Sequence, residues 1–73
     1  MSTWNHRVVA FDQSEHNLPT WLAICEVYYD EEGTAHSHTD SGVSVEGESI
    51  EELRTTLERM LACLDKPIIE EMK

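Results

Sequence analysis

The sequence predicts an α+β fold: a three- to four-stranded antiparallel sheet with one amphipathic helix, over about residues 49–64, packed across one face. Three observations predict it. Between Ser49 and Leu64, apolar residues fall at Ile50, Leu53, Leu57, Met60, Leu61 and Leu64, a spacing that gathers them on one side of a helix. Upstream, the apolar residues come in short runs rich in valine, isoleucine and aromatics, the residue types that favour strands. The chain has 73 residues, enough for one small domain, 1–73. A chain of this size buries only about 60% of the surface it exposes when unfolded, so the helix needs the sheet and the sheet needs the helix.

The first strand is expected over about 5–11, where Val8, Val9 and Phe11 stand together in N-H-R-V-V-A-F. The run Q-S-E-H-N-L-P that follows is polar, lacks periodicity and ends in Pro19, so it reads as a loop. Residues 20–30, T-W-L-A-I-C-E-V-Y-Y-D, form the second strand. Alternation places Trp21, Ala23, Cys25, Val27 and Tyr29 on one side, which should face the helix, and Leu22, Ile24, Glu26 and Tyr28 on the other. Asp30-Glu31-Glu32-Gly33-Thr34 reads as a hairpin turn, with Gly33 supplying a positive φ and Asp30 an Asx-type bond. The third strand spans about 34–40, is short and polar, and is broken by Ser41-Gly42. Val43 to Glu46 alternates again and is expected to extend or resume the sheet.

The helix begins at a capping box. The Ser49 hydroxyl can accept an amide of the first turn, and Glu52, three residues on, can reach back to the Ser49 amide. Glu48, Glu51 and Glu52 suit the positive end of the helix dipole, Arg59 and Lys66 lie at or near its negative end, and Pro67 cannot continue the helix. Ile68, Ile69 and Met72, in the tail 65–73, are expected to form an irregular or helical cover over one end of the core rather than a short edge strand.

Fifteen acidic against five basic residues give a formal charge of −10. That balance excludes direct binding to nucleic acid or to an anionic membrane, both of which need concentrated Lys and Arg. It fits a protein partner with a basic surface, whose approach complementary charge would steer. The opening M-S-T-W-N-H-R lacks a signal-peptide pattern and no apolar run can span a membrane, so a cytoplasmic location is expected. Two cysteines, Cys25 and Cys63, each sit in an apolar run and read as buried free thiols.

Three constellations bear on chemistry. His36 and His38 lie two apart on a strand, so their imidazoles can share a side and chelate a metal, given further ligands. Glu46, Glu48 and Glu51 form, with Glu52, an acidic cluster at the helix start that offers a docking surface. Trp21 and Tyr28 are candidate aromatic anchors for a partner. No phosphate-binding glycine loop or Ser-His-Asp pattern is present, and nothing by spacing activates either cysteine. Neither an enzymatic role nor a cofactor is expected.

The pattern V-x-G-x-S-x-E-E-L, here Val45, Gly47, Ser49, Glu51, Glu52 and Leu53, follows strand, turn and strand and leads into one amphipathic helix. Over about residues 20–64 this resembles the HicB-like antitoxin module, a reduced RNase H-like arrangement of three strands packed on a helix. The resemblance implies a non-catalytic module that binds, and can inhibit, a basic, nucleic-acid-handling partner. Two alternatives stand beside it: a metal-binding protein using His36 and His38, and a self-associating domain. A single helix leaves one sheet face and one edge open, so a homodimer or a heteromeric partner is also expected.

Overall fold

The computed structural model describes residues 3–72. The elements run β1 (Thr3–Phe11), a single 3₁₀ turn at Ser14–His16, β2 (Trp21–Tyr29), β3 (Ala35–His38), α1 (Ile50–Cys63) and β4 (Ile69–Glu70). The fold is α+β, and the sheet order is β3-β2-β1-β4. β1 pairs antiparallel with β2 along its whole length, from Thr3 opposite Tyr29 to Phe11 opposite Trp21. β3 pairs antiparallel with β2 through a register shift at Tyr28/Tyr29.

The fourth strand departs from expectation. It is not Val43–Glu46, which forms no strand, although the Val43 amide still donates to the Ile24 carbonyl at 3.0 Å. It is Ile69–Glu70, in the tail expected to be irregular or helical, and it runs parallel to β1. The sheet is therefore mixed rather than wholly antiparallel. Main-chain pairing continues past β4, where the Glu71 amide donates to the Ala10 carbonyl at 3.0 Å. The Glu71 carboxylate in turn accepts the Asp12 amide at 2.8 Å.

The hairpin turn follows its sequence closely. Gly33 takes φ +83°, and one Asp30 carboxylate oxygen accepts the amides of Glu32 and Thr34 at 2.9 and 3.0 Å. These bonds satisfy the turn's backbone donors locally, which fixes where β2 ends and β3 begins.

The core lies on the face that carries Cys25 and Val27. Val9, Cys25 and Val27 are 0% exposed, and Phe11, Ala23, Tyr29, Ala35, Ile69 and Met72 close around them. No residue of α1 belongs to this cluster. The second-strand set expected to face the helix instead lines the inside of a curled sheet, and its cover comes from the sheet's own edges and tail. Curling shows in two contacts across β2. The Phe11 ring on β1 stands edge-on to His38 on β3, centroids 5.7 Å apart, and His38 reaches Met72 beyond β4. A face curled this tightly is filled by side chains and leaves no room for a helix.

The helix packs instead against β1. Met60 and Cys63 are its buried residues, and Leu53 and Thr56 are partly covered. Its C-terminal half borders Trp4 and His6, which project to the opposite side of β1 from Val9. The start of α1 is capped much as expected. Ser49 Oγ accepts the Glu52 amide at 3.1 Å, while the Glu52 carboxylate reaches one residue further back than expected, to the Glu48 amide at 2.6 Å.

Candidate interaction surfaces

At 100° per residue, the helix buries a side made of Leu53, Thr56, Met60 and Cys63. Ile50, Leu57, Leu61 and Leu64 lie roughly a quarter-turn away and face solvent, with Leu57 and Leu61 53% and 68% exposed. The stripe expected to be core is thus split: Met60 points in, Leu53 sits at the boundary, and the other four point out. A groove runs along the exposed side between the row Ile50, Arg54, Glu58 and the row Leu53, Leu57, Leu61. At the end of the helix Leu64 joins a second apolar hollow with Val8, Leu22, Ile24 and Ile68. The exposed apolar surface therefore runs from the helix onto the outer face of the sheet. Scattered exposed leucines are ordinary, whereas here the exposed apolar side chains adjoin one another along one side of the molecule.

The acidic cluster sits at the other end of the helix. Glu46, Glu48 and Glu51 are all exposed. Glu46, Glu51 and Glu52 line one shallow groove with Gly47 and Ser49, and Arg59 closes its far end. Trp21 and Tyr28 do not join them. They occupy opposite ends of β2 and, seven residues apart, opposite faces of the sheet. Trp21 is 62% exposed, and Tyr28 donates its hydroxyl to the Glu26 carboxylate at 2.8 Å. That bond, then partial burial and the Glu26 charge, raise the Tyr28 phenol above its ordinary range. The five expected partner-binding residues therefore split into one acidic patch and two separate aromatics.

His36 and His38 also part company. His36 is exposed, whereas both ring nitrogens of His38 are engaged. Nδ1 meets the Thr39 carbonyl at 2.7 Å and Nε2 meets the Met72 amide at 2.8 Å, which assigns the proton to Nδ1. Among the described residues no group of three or more His, Cys, Asp or Glu could hold a metal ion.

A third feature was anticipated only in part: the sequence sets Arg59 and Lys66 at or near the negative end of the helix dipole, and the fold adds Arg7 from β1. Three of the five cationic residues lie at the C-terminal end of α1, beside β1. Arg59 and Lys66 border a cleft with Trp4, Asn5, His6 and Cys63, and Arg7 donates to the Pro67 carbonyl at 2.6 Å and to the Tyr29 hydroxyl at 3.3 Å. Cations there complement the negative end of the helix dipole. They also act on Cys63: burial pushes this thiol up, and the Arg7 and Lys66 charges oppose that shift. Burial likewise pushes up Cys25, whose thiol donates to the Ser41 carbonyl at 3.4 Å, with a hydrogen bond to Thr39 opposing. Both cysteines are free. No helix among the described residues is long and apolar enough to cross a membrane.

No protein-family model matches the chain, and no curated protein or solved structure is significantly similar to it.

Proposed function

We propose that this chain is a small, acidic, non-catalytic interaction module that binds a basic, nucleic-acid-handling protein partner and, as an antitoxin-like module, inhibits it. The observation that carries the reading is the exposed carboxylate patch of Glu46, Glu48 and Glu51 at the start of α1, in a chain of net charge −10. Among the described residues only Arg59, two turns along the helix from Glu52, shares the groove as a cation. Capping accounts for Glu52, whose carboxylate is spent on the Glu48 amide. It does not account for Glu46, which precedes the helix and points into the same groove.

A basic partner would be drawn in by long-range attraction, so its binding weakens as salt shortens the Debye length. The test is affinity capture from host extract with the wild type and with the variant Glu46→Lys, Glu48→Lys, Glu51→Lys, at low and high salt. The expected result is a basic protein retained by the wild type at low salt, released by salt and lost with the variant, whose circular dichroism stays that of the wild type. Retention that ignores both salt and the three reversals would refute the reading.

A further inference from the structure

The exposed apolar side of α1 is a separate surface from the acidic groove, and its occupant follows from its own charges. Arg54 and Glu58 stand four residues apart on the row that borders the apolar stripe, on the side away from the sheet. Consider a second copy related by a two-fold axis at right angles to the helix. The two helices then run antiparallel, and the same flank of each lies on the same side of the pair. With the axis at Thr56, Arg54 of one copy lies beside Glu58 of the other, and Glu58 beside Arg54. Sliding the axis to residue 54 sets Arg54 against itself, and sliding it to residue 58 sets Glu58 against itself. The row is complementary to its own image in one register.

That register also treats the apolar residues well. Leu57 of the two copies meets near the axis, and Ile50 of each copy is carried toward Leu61 and Leu64 of the other. There it adjoins the hollow formed with Leu22, Ile24 and Ile68. Area requires this extension. A helix of 14 residues is about 21 Å long and 10–12 Å across, a footprint of roughly 250 Å² at most, against about 800 Å² per partner in a stable interface. The helix face alone is too small, and the sheet hollow that Leu64 makes continuous with it extends the contact.

We infer that the apolar face of α1 is the interface of a two-fold homodimer, centred near Thr56, with Arg54 and Glu58 setting its register. The inference does not depend on the basic partner proposed above. A dimer formed this way leaves Glu46 and Glu48 clear of the two-fold axis.

The test is sedimentation velocity of the full chain over a range of concentrations. The wild type is expected to be dimeric in the micromolar range. Leu57→Glu should be a folded monomer. Arg54→Glu alone and Glu58→Arg alone should each weaken association tenfold or more, and the double swap Arg54→Glu, Glu58→Arg should restore it. Should Leu57→Glu fail to fold, Leu57→Cys serves instead: mild oxidation is expected to link two copies through residue 57 while the buried native thiols stay free. A wild type that stays monomeric at 100-fold higher concentration overturns the inference. So does a dimer indifferent to the charge variants, or one that Leu57→Cys does not cross-link.

Discussion

The Nε2 atom of His38 accepts the Met72 amide at 2.8 Å, joining β3 to the tail beyond β4 across 34 residues of chain. These are the two outer members of the sheet, so the bond fastens its curl over Val9, Cys25 and Val27. His38→Ala removes the acceptor and the edge-on contact with Phe11. Leaving a part-buried amide without its partner costs about 1–3 kcal/mol. Urea unfolding at fixed protein concentration should show that loss. Hydrogen exchange gives a local check: the Met72 amide should be protected in the wild type and lose that protection in His38→Ala. Unchanged protection would mean that the tail is held by something else.

Local signals in the sequence carried much of the fold. Short runs of strand-favouring residues located β1 and β2 within two residues at either end, Asp30 and Gly33 placed the turn, and Ser49 marked the start of α1. What could not be read was which apolar surface meets which. The inner face of β2 and the helix stripe were each apolar and therefore looked like partners, but curvature gave the first to Ile69 and Met72. One signal pointing to the exposed helix side was present. From Cys63 round to Leu61 the apolar arc spans roughly 160°, well beyond the ~100° that one packing surface needs. β4 was legible only as two isoleucines after a proline, because a two-residue parallel pairing leaves no periodicity to detect. The acidic patch and the placing of Arg59 and Lys66 near the helix C-terminus were visible in the sequence, whereas bringing Arg7 to them required the tertiary fold.

The cap of α1 rests on two bonds that can be removed separately. Ser49→Ala deletes the acceptor for the Glu52 amide and should lower stability by about 1 kcal/mol, while Ser49→Asp should keep most of it. Gly47→Ala acts on the other bond. A Cβ at residue 47 would lie 2.9 Å from Glu52 Cβ, an atom fixed by the helix backbone, so the chain at residues 47–48 must move, and the Glu48 amide with it, away from the Glu52 carboxylate. Both variants should unfold at lower urea with an unchanged slope. A Gly47→Ala variant as stable as the wild type would show that the Glu52 bond contributes nothing.

Gly33 tests the turn. Its φ of +83° lies where a side chain is strained, yet a Cβ there would meet no atom within 4 Å. The cost of Gly33→Ala is therefore conformational alone, about 1 kcal/mol, and Gly33→Asn should cost less because asparagine tolerates positive φ. Thermal melts of the three proteins at one concentration should rank Gly, then Asn, then Ala. An alanine variant as stable as the wild type would show that the turn relaxes to another conformation.

The two thiols impose a pH dependence whose sign is fixed by their burial. Both Cys25 and Cys63 are pushed above the ordinary thiol value of 9.0, chiefly by desolvation. Below pH 9 the thiols are protonated whether the chain is folded or not, and their burial contributes in full. As pH rises through 9, the unfolded chain loses its thiol protons first, which draws the equilibrium toward unfolding until the pH passes the raised folded values. Stability should therefore fall with rising pH, by at most about 1.4 kcal/mol per pH unit for each thiol. The comparison that isolates the effect is wild type against Cys25→Ala and Cys63→Ala. Each variant should be less stable at pH 7, through lost packing, yet lose stability less steeply between pH 8 and pH 10. Parallel curves for wild type and both variants would show that neither thiol resists ionisation in the folded chain.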